Sequence, residues 1–274
     1  EEAYKSFERI KHRTVVSWNA MIVAYVQCGF KKDAIGLFQR MQKEHVKPDK
    51  ITFVTTLDAC TGPADLEVGR SIHSYARECK LDDDVRVRSA LVNMYGKCGK
   101  LDDARVIFDK SEQRSFVTWN AMIGGYTHHG HGQEALQLFF QMKQEGIEPD
   151  KVAYIYLLKA CSSIIALDKG RKIHDLVKES GLLSSDMSIA NTLIDMYAKY
   201  GRIEEARKIF DGMSRHDVVS FGAMIGGYAD CDLGLSGLLL FQQMEQEETI
   251  EPDKLAYVCV LRACSCSRLI KEGR

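Results

Sequence analysis

Apolar residues recur along this chain at helical spacing, in paired runs separated by a short turn. The run from Trp18 to Tyr25 is followed, after Gly29, by a second run from Ala34 to Met41. Side chains three and four residues apart lie on one face of a helix. Glycine readily adopts the left-handed conformation that ends a helix. The pattern therefore predicts a helix, a turn and a second helix, and glycine recurs at the equivalent turn as Gly99, Gly130 and Gly201.

This hairpin pattern repeats along the whole chain. The segments VVSWNAMIVAY at Val15, FVTWNAMIGGY at Phe116 and VVSFGAMIGGY at Val218 begin 101 and 102 residues apart. Pro-Asp pairs close three of the repeats, because proline disfavours helical geometry in the residue before it. The predicted complete repeats are 15–49, 50–84, 85–115, 116–150, 151–186, 187–217 and 218–253, with partial repeats at 1–14 and 254–274. Such periodicity is typical of stacked helical hairpins.

Two positions in the second helix indicate how the hairpins stack. One position holds only alanine or glycine, namely Ala3, Ala34, Gly69, Ala104, Ala135, Gly170, Ala206, Gly237 and Gly273. Four residues later most repeats carry Phe, as Phe7, Phe38, Phe108, Phe139, Phe210 and Phe241. We expect two backbones to approach closely at the small residue, so that a larger side chain overpacks there. We expect neighbouring hairpins to bury the Phe side chains, which one hairpin alone cannot cover.

Composition narrows the class of protein. The chain has 274 residues, 45% of them hydrophobic, with four prolines. No apolar run reaches the length of a membrane span, so we expect no membrane partner. Nine cysteines in an otherwise ordinary composition favour reduced thiols inside a cell. The formal net charge of −1 provides no basic field of the kind that nucleic-acid binders commonly present. The opening EEAYKSFERI reads as an amphipathic helix, so we expect the chain to begin inside a longer array.

Several candidate residues also fit structural roles. On spacing alone, Asn19, Asn120 and Asn191 fit helix caps as well as binding residues, and the aspartates that close the repeats could cap the following helix. Trp18 and Trp119 recur on the packed face, which favours a core role. We expect His73 and His174 to pack half-buried where other repeats carry Phe.

The cysteines do not have the spacing of a metal site. Cys60, Cys161 and Cys264 share one repeat position, and Cys28 and Cys98 share another. Cys266 lies close to Cys264, but no second pair follows, whereas zinc needs four convergent ligands. We therefore interpret these cysteines as core residues and predict neither a metal nor any other cofactor.

The repeats resemble the pentatricopeptide repeat family. One repeat begins VVSWNAMI and closes in PD, the next reads KITFVTTLDACTGPADLEVGRSIHSYA, and the third contains ALVNMYGKCGKLDDARVIFDK. This order is similar to the family's plant subclass, in which P, L and S motifs follow one another in rotation. P-like repeats are 15–49, 116–150 and 218–253; L-like repeats are 50–84, 151–186 and the partial 254–274; S-like repeats are 85–115, 187–217 and the partial 1–14. The resemblance implies an all-α fold, a right-handed superhelical α-solenoid of antiparallel helix-turn-helix repeats.

The resemblance also implies one repeat to one base of single-stranded RNA, selected by the fifth and last residues. Carried onto this sequence, the pairs are Asn19 with Asp49, Asn120 with Asp150, Asn191 with Asp217, Ser89 with Ser115, and Gly222 with Asp253. In the family Asn with Asp favours uracil; the serine pair most nearly suggests a purine, and the pair with Gly222 assigns no base. Val54 and Ile155 at the fifth position predict no selectivity. The residues that pack against base faces would be Val16, Val117 and Val219.

The implied function is sequence-specific RNA binding that selects sites for organellar RNA processing, foremost cytidine-to-uridine editing in a chloroplast or mitochondrion. The partners would be single-stranded RNA and editing-factor proteins, with no small-molecule substrate. The deaminase signature His-x-Glu with Pro-Cys-x-x-Cys is absent from the 274 residues, so we expect no enzyme activity in this chain. The alternative is a protein-interaction scaffold of the tetratricopeptide type, which would bind a peptide through a Lys and Arg clamp and would show a 34-residue period.

Overall fold

The computed structural model describes residues 2–111, 114–247 and 250–266, and every regular element in these ranges is a helix. The predicted all-α fold is confirmed. The helices are α1 (Glu2–Glu8), α2 (Val15–Gln27), α3 (Lys31–Lys43), α4 (Lys50–Ala59), α5 (Leu66–Glu78), α6 (Val85–Lys97), α7 (Leu101–Asp109), α8 (Phe116–His128), α9 (Gly132–Gln144), α10 (Lys151–Ser163), α11 (Leu167–Glu179), α12 (Leu182–Ser185), α13 (Met187–Lys199), α14 (Ile203–Asp211), α15 (Val218–Asp230), α16 (Gly234–Gln246) and α17 (Lys254–Cys266). A 3-10 turn, Pro63–Asp65, precedes α5.

Short polar side chains start the first helix of most repeats. The carboxylate of an aspartate accepts hydrogen bonds from backbone N–H groups in the first turn of α4, α6, α10, α13, α15 and α17. These aspartates are Asp49, Asp84, Asp150, Asp186, Asp217 and Asp253. Ser115 does the same for α8. Each cap satisfies a donor that has no partner inside its helix, so the last residue of one repeat fixes where the next helix begins.

The turn within a hairpin has the left-handed backbone that the sequence predicts. Gly29, Gly99, Gly130 and Gly201 have φ values of 82°, 75°, 78° and 68°. Asp232 occupies the same turn after α15 with φ 57°, a conformation that costs less for Asp than for most other non-glycine residues. Because α2 and α3 pack together and only three residues connect them, the two helices run in opposite directions.

The chain divides into two compact blocks. The first contains residues 1–129 with 144–148. In it α2 packs on α3 and α4, α4 packs on α6, and α6 packs on α7 and α8. Trp18 meets Phe7 edge to face at 4.8 Å between ring centroids, and Trp119 meets Phe108 at the same distance. Both indoles are fully buried, which confirms their predicted core role.

The second block contains residues 130–143 with 149–274. In it α10 packs on α11 and α13, α13 on α14 and α15, and α15 on α16 and α17. Phe221 takes the place of the tryptophans and meets Phe210 at 5.2 Å. From α2 to α6 and from α10 to α15, therefore, the first helix of a repeat lies against its own second helix and the next first helix. This stacking buries the Phe row as predicted, since all six Phe side chains are buried.

The short second helices α7 and α14 end against a side chain from the following connection. The carbonyl of Phe108 accepts a hydrogen bond from Arg114 Nε at 3.1 Å, and the carbonyl of Phe210 lies 3.0 Å from His216 Nε2. Arg13 approaches the carbonyl of Phe7 in the same way after α1. Each of these three carbonyls also accepts from the backbone N–H three residues later, so the side chain adds a second contact at the helix end.

The small position of the second helix is buried in every described repeat except the first. Alanines 34, 104, 135 and 206 are buried, as are glycines 69, 170 and 237. A Cβ added at Gly69 would lie 2.5 Å from Met94 Sδ, and one at Gly170 would lie 2.7 Å from Met196 Sδ. Both methionines belong to the next first helix, so the predicted close approach is confirmed there.

Ala3 does not follow the prediction. Its side chain is exposed, because the described residues contain no helix before α1 that could complete its hairpin. The last member of the series, Gly273, lies outside the described residues. The repeat boundaries themselves remain a prediction, although α2, α4, α6, α8, α10, α13, α15 and α17 begin at their first residues.

Two glycine substitutions should have opposite effects on stability. A Cβ at Gly132 would lie 2.7 Å from Ile164 Cγ2 and 2.8 Å from the Ala160 carbonyl oxygen, whereas one at Gly36 would meet no atom within 4 Å. We expect Gly132→Ala to lower the free energy of unfolding by about 1–3 kcal/mol through overpacking. Gly36→Ala should raise it by roughly 0.5–1 kcal/mol, because it removes backbone entropy within a helix. Urea unfolding of both variants measures this, and equal effects would contradict the predicted close packing.

Candidate nucleic-acid interface

Asn19 and Asp49 form a hydrogen-bonded pair at the start of adjacent first helices. Asn19 Nδ2 donates to Asp49 Oδ1 at 2.9 Å. Asp49 also accepts from the backbone N–H of Thr52 at 2.9 Å and forms a capping box with it. The Thr52 hydroxyl donates to Asn19 Oδ1 at 2.6 Å. One carboxylate therefore caps α4 and orients the amide of the preceding repeat.

The carboxyl of Asp49 is ionised more readily than an ordinary aspartate. Burial raises its pKa, but hydrogen bonds from the Thr52 backbone, the Asn19 amide and the Thr52 hydroxyl outweigh burial and lower the pKa below the usual value. Each of these bonds is stronger with the charged form. At neutral pH Asp49 is thus an acceptor only, which requires the nitrogen of the Asn19 amide to face it.

Asn191 and Asp217 repeat the pair with one difference. Asn191 Nδ2 donates to Asp217 Oδ1 at 3.2 Å, and Asp217 accepts from the backbone of Ser220 at 2.8 Å. The Ser220 hydroxyl donates to the backbone carbonyl of Asp217 at 2.8 Å and not to the amide. Asn191 Oδ1 is buried and accepts no hydrogen bond from the described part of the chain.

The serine pair is bridged by a threonine. Ser89 and Ser115 both contact the hydroxyl of Thr118, at 2.6 Å and 3.0 Å. The Ser89 hydroxyl also donates to the carbonyl of Val85 at 2.8 Å. These hydroxyls act both as donors and as acceptors, so this repeat presents different chemistry from the Asn–Asp pairs.

Asn120 and Asp150 lie in different blocks. Asn120 is buried in α8 to the same extent as Asn19 and Asn191, at 8% exposure. Asp150 caps α10 by accepting from the Ala153 backbone at 2.9 Å. Asp253 caps α17 through the Ala256 backbone at 2.8 Å. A Cβ on Gly222 would meet no atom within 4 Å, so a larger side chain fits at this fifth position.

Aliphatic side chains stand exposed beside these fifth positions. Val16, Val117 and Val219 are 71%, 50% and 57% exposed. Each lies three residues before the fifth position of its repeat, on the same helix surface. The second residues of the remaining repeats are also exposed: Ile51, Arg86, Val152, Ser188 and Leu255. A recurrent exposed aliphatic position marks a surface that gains from being covered.

Two lysines that directly follow the last residue of a repeat have acidic partners. Lys50 lies 4.0 Å from Asp84, and Lys151 lies 3.0 Å from Asp186. The hydrogen bond from Lys151, together with that from the Ser188 backbone, lowers the pKa of Asp186 although burial raises it. The charges of these two lysines are therefore balanced by aspartates at short range.

The structure tests the capping interpretation of the asparagines and the aspartates. The capping interpretation of Asn19, Asn120 and Asn191 is wrong, because each lies in the second turn of its helix, after the residues Thr14, Ser115 and Asp186 that precede the first turn. The capping interpretation of Asp49, Asp150, Asp217 and Asp253 is right. The hydrogen bonds of Thr52, Thr118 and Ser220 were not predicted from the sequence. The signal for them was present, since a hydroxyl residue three positions after a cap is typical of a capping box.

Each of the two candidate histidines contacts a tyrosine hydroxyl. His73 Nδ1 lies 2.9 Å from the Tyr95 hydroxyl, and His174 Nδ1 lies 2.9 Å from that of Tyr197. Burial lowers the pKa of both imidazoles, which favours the neutral form, and both are half-buried as predicted.

Most of the repeated cysteines lie in the core, and one does not. Cys60, Cys161, Cys264 and Cys98 are buried, and burial raises the pKa of Cys60 to about 12 and of Cys161 to about 11. Cys28 is exposed, so its assignment to the core was wrong: it follows the last turn of α2 at the surface. No described group of three His, Cys, Asp or Glu side chains could hold a metal ion.

Among the helices of the described ranges, none has the length and apolar character needed to cross a bilayer.

Comparisons of sequence place the chain among known repeats. The profile of the PPR repeat family matches residues 13–62 and 114–163, and that of the PPR repeat matches 87–116, 188–218 and 219–248. A chloroplastic pentatricopeptide repeat-containing protein of Arabidopsis thaliana is 40% identical over 273 residues, 100% of this chain and 34% of that protein. A mitochondrial one from the same plant is 38% identical over 261 residues, 95% of this chain and 40% of that protein. The chain thus spans well under half the length of these relatives.

Solved structures share the fold. The pentatricopeptide repeat protein PPR10, crystallised with an 18-nt psaJ RNA element, superposes with a TM-score of 0.61 at 17% identity, over 98% of this chain and 47% of that one. A tetratricopeptide repeat protein from Parabacteroides merdae superposes with a TM-score of 0.54 at 12% identity, over 91% of this chain and 98% of that one. At these identities the likeness concerns the fold alone.

Stability should depend on the charge of Asp49. An Asp49→Asn variant keeps a side chain that caps helices well but cannot ionise. Because the folded protein lowers the pKa of Asp49, the wild type should be more stable than the variant at neutral pH. That advantage should shrink as the pH falls below the ordinary aspartate pKa and through the lowered one. Urea unfolding of both proteins across this range tests it, and a constant or growing difference at low pH would exclude a stabilising charge.

Proposed function

We propose that this chain, which belongs to the PPR repeat family, binds single-stranded RNA and selects bases with the fifth and last residues of its repeats. The observation that carries the proposal is a hydrogen-bonded Asn–Asp pair, which recurs as Asn191 with Asp217, together with an exposed aliphatic side chain. Asn19, Asp49 and Val16 form one such set. An amide and a carboxylate can address the edge of a base while the aliphatic group contacts its face.

In this proposal one repeat contacts one base, with the amino end of the chain towards the 5′ end of the RNA. The repeats containing Asn19, Asn120 and Asn191 select uracil. The repeat containing Ser89 and Ser115 favours a purine, and Val54 and Ile155, which are half-buried aliphatics, leave their bases unselected. The order is U, any, purine, U, any, U, and a last base without assignment.

The chain supplies recognition and not catalysis in this proposal. Its RNA would be an organellar transcript, as the chloroplastic and mitochondrial relatives suggest. The bound site would be one for cytidine-to-uridine editing, with the deaminase in sequence outside these 274 residues or in a partner protein. Peptide binding by a scaffold of similar hairpins is the competing function, and the paired Asn and Asp side chains favour RNA over a peptide carboxylate.

Removing one asparagine should weaken binding only to the matching RNA. Each specific base contact contributes on the order of 1–3 kcal/mol. We therefore expect Asn191→Ala to reduce affinity for RNA with U opposite 187–217 by roughly fivefold to a hundredfold, with little effect on RNA carrying G there. Fluorescence anisotropy of the two RNAs measures this.

Asn93→Ala is the matched control for this experiment. Asn93 also donates to an aspartate, Asp58 at 3.3 Å, but lies at the ninth position of its repeat, so RNA preference should stay unchanged. Equal affinity of wild type for the U and G RNAs would refute base selection. Failure to bind either RNA would refute RNA binding and favour the peptide scaffold.

Adding an asparagine should create a new preference. Gly222→Asn places an amide in open space at the fifth position of 218–253, beside the cap Asp253. We expect preference for U over G at the last base to rise by roughly fivefold or more. Gly36→Asn, at another open helical glycine, is the control. An unchanged preference would mean that the pair is not sufficient to select a base.

A further inference from the structure

We infer that Thr52 is a positioning residue for base selection: its hydroxyl holds the Asn19 amide oxygen inward so that the amide presents its N–H groups, a restraint that Ser220 does not give Asn191. This inference rests on the proposed RNA binding and concerns a residue at the third position of the following repeat, outside the fifth-and-last pair.

The two sides of the Asn19 amide have different partners. Its nitrogen donates to Asp49 Oδ1 at 2.9 Å, in a half-buried contact. Its oxygen accepts from Thr52 Oγ1 at 2.6 Å, in a buried contact, and Thr52 itself is 0% exposed. The amide oxygen is therefore turned into the protein. A donor fixed in this way matches the O4 acceptor of uracil and opposes the N4 donor of cytosine.

The two repeats differ in the group to which the hydroxyl at the third position donates its hydrogen. Both Thr52 Oγ1 and Ser220 Oγ accept from the backbone N–H of their cap residue, at 3.1 Å and 2.8 Å. Thr52 Oγ1 lies within reach of two acceptors, Asn19 Oδ1 at 2.6 Å and Asp49 Oδ1 at 2.9 Å, and the shorter contact crosses to the preceding repeat. Ser220 directs its hydrogen to the carbonyl of Asp217 at 2.8 Å. A hydroxyl has only one hydrogen to donate, so Ser220 cannot also hold the amide.

Asn191 shows the consequence. Its amide oxygen is buried without a hydrogen-bond donor among the described residues, and its nitrogen lies farther from the carboxylate, at 3.2 Å. A buried acceptor without a partner is unfavourable, so this amide is held less firmly. Thr118 reaches back to the fifth residue as Thr52 does, to Ser89 at 2.6 Å. A threonine at the third position therefore contacts the fifth residue of the preceding repeat at a second junction, where that fifth residue is a serine.

Removing the Thr52 hydroxyl should reduce the preference for U over C. Thr52→Val keeps the shape of the side chain and removes the hydroxyl. We expect the ratio of affinities for RNAs with U or C opposite 15–49 to fall by about twofold to tenfold, the range for one hydrogen bond. Thr56→Val is the matched control, because Thr56 is equally buried in the same helix and donates only to the Thr52 carbonyl at 2.7 Å. Its U-to-C ratio should equal that of wild type.

The inference predicts a gain with a second variant. Ser220→Thr keeps one hydroxyl and adds a methyl group that the equivalent Thr52 and Thr118 sites accommodate; in the orientation that Thr52 has, this hydroxyl donates to the Asn191 oxygen instead of to the Asp217 carbonyl. We expect the U-to-C ratio opposite 187–217 to rise by about twofold to tenfold and thermal stability to rise with it. If Thr52→Val does not fold, Ser220→Thr still tests the positioning role.

The possible results distinguish a failure of the positioning role of Thr52 from a failure of the proposed RNA binding. Wild type that prefers U over G, with unchanged U-to-C ratios in Thr52→Val and Ser220→Thr, overturns the positioning role while RNA binding stands. A Thr56→Val ratio that falls as far as that of Thr52→Val also overturns it, because the effect would be general destabilisation. Wild type that binds neither RNA refutes the proposed function itself.

Discussion

The aspartate at the junction of two repeats is the interaction on which both fold and candidate site depend. Asp49 accepts from the first turn of α4 and from the Asn19 amide of the preceding repeat, and Asp217 does the same for α15 and Asn191. Because one carboxylate performs both tasks, the start of each first helix and the direction of the preceding amide are fixed together. Loss of the carboxylate disturbs local helix stability and site geometry at once.

The sequence predicted the parts of the structure that periodicity controls. Repeat spacing located the first helices, and the recurrence of Trp18 and Trp119 placed them in the core, since burial at one position repeats wherever the hairpin repeats. Prediction failed where a residue depends on particular neighbours. Ala3 and Cys28 occupy core positions of the pattern but are exposed. The asparagines were ambiguous because spacing does not distinguish a cap from a residue one turn later. The hydroxyl of Thr52 was missed because its reach to Asn19 spans two repeats.

Helical hairpins of this kind do not by themselves specify a ligand. Stacked repeats present a row of first helices to RNA or to a peptide with the same backbone geometry. What distinguishes the two is the chemistry at the second, fifth and last positions. Here those positions carry exposed valines, buried asparagines and aspartates that cap the next helix. A peptide carboxylate would meet like charge at Asp49, whereas the edge of a base offers both donors and acceptors to the same group.

The charge of the chain determines how recognition can work. The chain has 37 basic and 38 acidic side chains, and Lys50 and Lys151 pair with Asp84 and Asp186, so in the proposed RNA binding the chain as a whole offers the phosphate backbone little net attraction. Binding that depends on neutralised phosphates is insensitive to sequence. In the proposed RNA binding, a chain with little net charge favours affinity that comes from contacts with bases. Such contacts are short-ranged and directional, so each must be formed by a side chain already held in place. The Asn19–Asp49 pair meets this requirement in the proposed binding, because partners on both sides of the Asn19 amide orient it before any base arrives.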